Sequence, residues 1–143
     1  MEIRMGFEFW SVAEYARRLE RDVDDAFRYR MMIHDLPRYF HAASPGVRRW
    51  MLTERPPLTE RKWDALLAAV TEHLAIVHGE AVPEWVNEEE RFLDIPWRVL
   101  GEGRNPFSWI TGSPGAFHRH GVLVNGKDLD ERGGHRWYAA ILS

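Results

Sequence analysis

The seven histidines hold most of the chain's capacity for metal binding or acid–base chemistry, because the 143-residue sequence contains no cysteine. His73 and His78 are separated by five positions, about 140° around a helix, so a single helix cannot offer both to one metal ion. His118 and His120 are badly spaced for a shared ion on a helix, and no HExxH motif is present. The sequence therefore predicts no metal site and no cofactor. His73 is expected to bond to a loop carbonyl at the core edge.

No serine stands in the GxSxG context of an activated nucleophile. Ser44 and Ser113 each precede a proline, which is typical of a residue that caps a helix start. Gly101-Glu102-Gly103 lacks the third glycine of a phosphate-binding loop, and the acidic run 88–90 is interpreted as a solvated helix face. We therefore predict that the protein is not an enzyme. An unrecognised catalytic site at residues 118–120 stays open as an alternative.

The composition favours recognition of another molecule, because the chain has seven tryptophans and its cations are nearly all arginine. Trp, Tyr and Arg dominate the energetics of protein interfaces. Residues 36–62 carry six basic and two acidic side chains, whereas residues 84–94 carry five acids and one arginine. These segments are either solvated faces or surfaces that attract a partner. The residues predicted to bind a partner are Arg48, Arg49, Trp97, Trp109, Phe117, Arg119 and Trp137.

The first helix is predicted to begin after Ser11, which has the spacing of a capping box with Glu14. Apolar residues recur at helical spacing over residues 12–27. Pro37 is expected to stop or kink the helical segment that follows, because proline lacks an amide hydrogen and clashes with the preceding turn.

Arg30 and His34 occupy the next positions of this apolar stripe and interrupt it. One interpretation is a helix break near residues 22–25, where Asp22 or Asp24 caps a second helix. The other is that Arg30 and His34 lie in a groove that a partner fills. Both interpretations stay open from the sequence.

A short helix is predicted over residues 45–52, with Ser44 as its cap. Its periodicity turns Trp50 inward and points Arg48 and Arg49 outward.

The second half, residues 80–143, lacks regular periodicity. Ser113 is expected to cap a helix over residues 114–120, and Gly121 to end it. The apolar run 122–124 could be a strand, but no partner strand is evident and a lone strand is unstable, which argues against it. The residues expected to attach this half to the core are Trp85, Trp97 and Trp109.

The strongest helical periodicity spans residues 59–78, with Thr59 as a cap and Gly79 as a left-handed end. Trp63 lies on its apolar stripe and is expected in the core. The sequence thus predicts a mainly α fold. We expect a single domain over residues 1–143, built as a helical bundle around this central helix with an irregular, Trp-rich second half.

Four blocks of sequence form a recognisable set: TERKWDALLAAVTEHLA from Thr59, VPEWV from Val82, RFLD from Arg91 followed by PW, and SPGAFHRHGVLV from Ser113. In their order and spacing they resemble a family of small, largely uncharacterised actinobacterial proteins. The resemblance covers about residues 53–130. It implies an antitoxin-like or accessory protein encoded beside a nucleotidyltransferase-type toxin, and it implies no catalytic residues.

These observations predict a non-enzymatic protein-binding partner, antitoxin-like or accessory, that neutralises or scaffolds another protein. The resemblance implies that the bound protein is the toxin of a neighbouring gene. A DNA-binding autoregulator that uses residues 11–34 is the alternative, although Asp24 and Asp25 would open its recognition helix and repel phosphates. No apolar stretch reaches the roughly 18 residues that span a bilayer, and no secretory signal is evident, so we expect a cytoplasmic protein without membrane contact.

Overall fold

A central helix, α5 (Arg61–His78), organises the fold, because every residue from 63 to 75 on it is buried. Small alanines on several of its faces allow neighbouring elements to approach closely. Gly79 ends the helix in the left-handed conformation at φ 71°, and the Glu80 amide donates to the Ala75 carbonyl at 2.8 Å. The computed structural model describes residues 9–20, 23–99 and 113–124, and it confirms the mainly α fold.

Thr59 does not cap α5, contrary to the prediction, and the helix begins two residues later, at Arg61. The roles are reversed, because the carboxylate of Asp64 accepts hydrogen bonds from the Thr59 amide and hydroxyl, both at 2.9 Å. Burial raises the pKa of Asp64, although the Thr59 bonds act in the opposite direction. An acidic residue in the first helical turn is also favoured by the helix dipole.

Two short helices, α1 (Val12–Arg18) and α2 (Asp25–Arg30), replace one long helix at the chain start. Ser11 caps α1 by accepting from the Glu14 amide at 3.1 Å. Asp24 caps α2 by accepting from the Phe27 amide at 2.7 Å. The predicted break with an aspartate cap is confirmed.

Of the two effects predicted for Pro37, a stop or a kink, the stop is not seen, because the helical path continues through this residue. Residues Met31–Asp35 form a π-helical turn, the π turn, and α3 (Leu36–Ala42) continues directly from it with Pro37 in its first turn. In an α-helix the proline ring would clash with the carbonyl four residues earlier, that of Ile33. The wider π turn, in which the Leu36 amide donates to the Met31 carbonyl, accommodates the proline without ending the helix.

Helix α4 (Pro45–Thr53) follows, and Ser44 caps it by accepting from the Val47 amide at 3.3 Å. Trp50 is partly buried against the core, as its predicted inward direction requires. After α5, the chain forms two 3₁₀ turns, Glu84–Asn87 and Glu89–Arg91. Trp85 in the first turn is buried and donates its indole N–H to the Leu52 carbonyl at 3.2 Å.

The run 122–124 does contribute a strand, so the prediction was wrong there. Strand β2 (Val122–Leu123) pairs in parallel with β1 (Trp97–Arg98), with Trp97 opposite Val122. Each strand is only two residues long, too short for an alternating pattern to show in the sequence. The pairing forms because helix α6 (Gly115–His120) packs against α5 and brings the two segments together.

Gly121 ends α6 at φ 77°, as predicted. Ser113 is not the cap of α6, contrary to the prediction, since Pro114 occupies that position. The Ser113 hydroxyl instead accepts from the Val124 amide at 2.9 Å and lies 3.1 Å from the Val124 carbonyl. Helix α5 contacts α1, α3, the π turn, α6, both 3₁₀ turns and β2, so a continuous core surrounds it. No helix among the described residues is long and apolar enough to cross a bilayer.

Candidate functional site

A buried polar cluster joins α5 to α6. Glu72, in the middle of α5, is 6% exposed, and its Oε1 lies 2.9 Å from Nε2 of the fully buried His120. Nδ1 of the same ring lies 2.7 Å from the carbonyl of Arg91. A carbonyl and an ionised carboxylate can only accept, so the ring nitrogen that carries the proton is the donor. His120 thus links Glu72 on α5 to the backbone at Arg91.

Arg119 completes this Glu72 cluster, which comprises Glu72, Asn87, Phe92, Arg119 and His120. The Arg119 Nε lies 3.0 Å from one carboxylate oxygen of Glu72 and 3.1 Å from the other, and its Nη2 donates to Asn87 at 2.6 Å. Phe92 stacks on the His120 ring at 4.4 Å and 15°, and the Arg119 guanidinium lies 5.0 Å from the same phenyl ring. Phe92 therefore contacts both side chains that bind Glu72, those of Arg119 and His120.

The electrostatics of the Glu72 cluster favour an ionised carboxylate. Burial by itself would raise the pKa of Glu72, but hydrogen bonds from Arg119 and His120 outweigh it and hold the pKa below its ordinary value. Conversely, the Glu72 carboxylate raises the pKa of Arg119. Since both nitrogens of His120 have partners inside the protein, neither is available to take a proton from a substrate. The geometry is that of a structural contact between helices.

The structure brings together two of the three residues of the hypothetical catalytic site. Arg119 and His120 both contact Glu72, whereas His118 is exposed to solvent. Sequence reasoning missed Glu72, although one signal was present: it is a carboxylate within the most apolar helix of the chain. Among the described residues, no group of three or more potential ligands is arranged to hold a metal ion. His73, predicted to bond to a carbonyl, is buried with its ring edge-on to Phe117 at 5.8 Å.

Two predicted partner-binding residues serve the fold instead. Phe117 is completely buried, so its assignment to an exposed patch was wrong. Arg48 was predicted to point outward, but its side chain is held against α3. Its Nε donates to the Phe40 carbonyl at 2.9 Å and its Nη2 to the His41 carbonyl at 2.7 Å. These carbonyls belong to the last turn of α3, where a cation satisfies unpaired acceptors and the helix dipole.

The remaining predicted residues have different environments. Arg49 is exposed on α4, and the Arg119 side chain is 44% exposed although it contacts Glu72. Trp97 is half-buried, edge-on to Trp63 at 5.1 Å, and the Lys62 ammonium lies 5.5 Å from its ring. Trp109 and Trp137 lie outside the described residues.

The basic segment 36–62 and the acidic segment 84–94 bind each other within the chain. Arg55 forms an ion pair with Glu88, and Glu88 also accepts from Nε of the fully buried Arg91 at 2.9 Å. The Arg91 Nη2 donates to the Pro56 carbonyl at 2.7 Å. The Arg61 Nη2 donates to the Phe92 carbonyl at 2.9 Å. Burial would raise the pKa of Glu88, but Arg55 and Arg91 outweigh it and lower that pKa. Part of the charge asymmetry seen in the sequence is therefore satisfied internally.

An exposed apolar side chain follows a run of exposed acids in the sequence. Ile95 is 82% exposed in the segment 94–97, here called the Ile95 loop. Both flanks are held by the end of α6, because the Leu93 amide donates to the His120 carbonyl at 3.1 Å and the Trp97 amide to the carbonyl of Gly121, which ends the helix, at 2.9 Å. The exposed acids of the acidic segment 84–94, which leads into the loop, are Glu84, Glu89, Glu90 and Asp94.

The helical path that could serve as a recognition helix begins with acids. Helix α2 continues through the π turn into α3, and its start carries the exposed Asp24 and Asp25, of which Asp24 caps the helix and Asp25 pairs with Arg28 at 3.3 Å. A carboxylate at the helix start repels a phosphate backbone. The geometry gives no independent support to DNA binding.

No family model matches the chain, and no curated protein or solved structure shows significant similarity to it. The resemblance to actinobacterial antitoxin-like proteins therefore stays a prediction.

Proposed function

We propose that the protein is a non-enzymatic binding partner, antitoxin-like or accessory, that binds a second protein through the Ile95 loop. The observation that carries the proposal is Ile95 itself, 82% exposed on a loop fixed at both ends. The resemblance of the sequence supports a specific partner, a nucleotidyltransferase-type toxin from a neighbouring gene, which the protein would neutralise in the cytoplasm.

A fixed loop suits recognition, because little conformational entropy is lost when it binds. The two backbone hydrogen bonds at Leu93 and Trp97 set the position of the loop, and Pro96 restricts the backbone between them. An apolar side chain presented in this way can fill a pocket on a partner and become fully desolvated, which is the usual arrangement of an interface hot spot. The half-buried Trp97 extends the apolar contact beside it.

The charges around the loop indicate the chemistry of the partner. Asp94 precedes Ile95, and Glu89 and Glu90 are exposed on the preceding 3₁₀ turn. A partner surface with an apolar pocket surrounded by lysine or arginine complements this arrangement. Such complementarity raises the association rate and orients the encounter more than it raises affinity.

Calorimetric titration of the purified chain with the neighbouring-gene protein tests the proposal. We expect saturable binding that Ile95→Gln weakens at least about tenfold, or about 1.4 kcal/mol. Ile76→Gln is the matched control, because Ile76 is 60% exposed at the end of α5 and outside the Ile95 loop. Both variants should keep the circular dichroism spectrum of the parent. No binding by the parent, or equal affinities of parent and Ile95→Gln, would overturn the proposal.

The salt dependence of binding supplies a second readout. Glu89→Gln with Glu90→Gln should slow association at low salt and leave dissociation nearly unchanged. A gel-shift experiment with the promoter DNA of the protein's own gene tests the DNA-binding alternative. A salt-dependent shift that Ile95→Gln does not affect would replace the present proposal with that alternative.

A further inference from the structure

A second surface, away from the Ile95 loop, has the properties of a small-molecule site. Beside the π turn lies a groove of about 330 Å³ lined by Arg30, Met31, His34, Asp35 and Arg38. Small-molecule pockets begin at roughly 300 Å³. Arg30 and His34 are the two residues that interrupt the apolar stripe of the sequence, so the structure accounts for them as groove residues. We infer that this π-turn groove binds the phosphate group of a small phosphomonoester.

The charge of the groove is positive. Asp35 is its carboxylate, and this group is already engaged by the Tyr15 hydroxyl at 2.7 Å and by Arg38 Nη2 at 3.1 Å. The lining therefore carries two guanidinium groups and one imidazole beside a single carboxylate, which accepts from the protein itself. Guanidinium groups bind phosphate oxygens through paired, charge-assisted hydrogen bonds, which makes an oxyanion the complementary ligand.

The cationic groups are also held in place. The Arg38 guanidinium lies 4.9 Å from the Tyr39 ring, and the Arg30 guanidinium 5.6 Å from the Phe27 ring. The His34 ring is edge-on to Tyr29 at 6.4 Å. These contacts limit the conformations that binding must fix, and a preorganised site loses less entropy when the ligand arrives.

The rest of the groove is apolar, because Met31 is partly buried against the core and the arginines contribute their aliphatic stems. A ligand with a phosphate and a small apolar body therefore fits better than a bare anion. The π turn itself is consistent with this assignment, since single π turns within helical segments occur frequently at functional sites.

Phenyl phosphate is the probe, titrated into the full chain and followed by isothermal calorimetry. We expect saturable binding that weakens at least about tenfold in Arg30→Gln and falls as salt rises. Arg30 is the preferred variant because it is exposed, whereas Arg38 also contacts Asp35. Arg49→Gln is the matched control, since Arg49 is an exposed arginine on α4.

Inorganic phosphate and phenol are titrated in parallel. Weaker binding of inorganic phosphate than of phenyl phosphate supports the phosphomonoester, as does the absence of phenol binding. No saturable binding of phenyl phosphate, or the same loss in Arg49→Gln as in Arg30→Gln, overturns the inference. Neither result bears on the Ile95 loop, because the two surfaces share no residue.

Discussion

Glu72 and His120 contact each other at 2.9 Å in the interior of the protein, where their side chains are 8% and 0% exposed. This contact joins the central helix to α6, and α6 in turn holds the Ile95 loop, because the His120 carbonyl accepts from the Leu93 amide. The residue that fixes α6 on α5 therefore also fixes one end of the proposed binding loop.

Glu72→Gln should reduce the free energy of unfolding by about 1–3 kcal/mol, the range for leaving buried polar groups poorly satisfied. A neutral amide has a single acceptor oxygen, so it cannot accept the paired hydrogen bonds that the Arg119 guanidinium donates to the carboxylate. Urea unfolding followed by circular dichroism measures the effect. Glu89→Gln is the control, because Glu89 is exposed and should change stability by no more than about 0.5 kcal/mol. Equal midpoints for both variants would show that the Glu72 cluster does not stabilise the fold.

Stability should fall as the pH drops from about 6.5 towards 4, and His78 should account for part of the fall. Burial, together with the nearby Arg48, His41 and His73, lowers the pKa of His78 from 6.5 to about 4. Between these values the unfolded chain binds the proton more readily than the folded protein, so unfolding becomes easier as pH falls, and below about pH 4 this contribution is constant. Burial and Arg48 also lower the pKa of His41.

Urea midpoints measured between pH 4 and pH 7 test this expectation. His78→Gln should show a shallower decline than the parent, with the difference confined to the region above about pH 4. Glu72, whose pKa is also lowered, contributes at lower pH. Its stabilisation is fully present above the ordinary pKa of a glutamate and is lost as the pH falls through the lower pKa of the folded protein. A decline of the same slope in parent and His78→Gln would contradict the assignment to His78.

The parts of the fold that local chemistry determines could be predicted from the sequence. A cap requires a particular side chain next to its helix, and a left-handed end requires glycine, so Ser11, Asp24, Ser44, Gly79 and Gly121 had the predicted roles. The periodicity of the central helix likewise follows from its own residues. At Pro37 the local rule failed, because the π turn offers a second way to accommodate proline.

The contacts that create the candidate sites are not local, and spacing along the chain does not reveal them. Glu72 and His120 are 48 positions apart. The β1–β2 pair joins two dipeptides that carry no strand pattern of their own. Phe117 was predicted to bind a partner, but α6 turns its side chain towards α5, where it is completely buried. Only the packing of α6 on α5 distinguishes these residues from exposed ones.

Adjacent arginines on α4 should respond very differently to truncation. Arg48→Ala should lower the free energy of unfolding by about 1–2 kcal/mol, since it removes two charge-assisted hydrogen bonds to the end of α3. Arg49→Ala should change it by no more than about 0.5 kcal/mol, because that side chain is exposed. Thermal unfolding of the two variants in the same buffer gives the comparison. A loss at Arg49 that equals the loss at Arg48 would argue against the role of Arg48 at α3.

The two left-handed glycines should also differ, although both end a helix. Gly79 has φ 71° and nothing within 4 Å of the position of a Cβ, so Gly79→Ala should cost only the backbone strain, about 1–2 kcal/mol. Gly121 has φ 77°, and a Cβ there would lie 2.8 Å from the Leu93 carbonyl oxygen. That carbonyl belongs to backbone next to the Ile95 loop, so it must shift, which adds about 1–3 kcal/mol to the strain. Urea unfolding should rank Gly121→Ala well below Gly79→Ala in stability, and Gly121→Ala should also weaken partner binding through the displaced loop. The same midpoint for both variants would mean that Leu93 moves away freely and that α6 does not fix the loop.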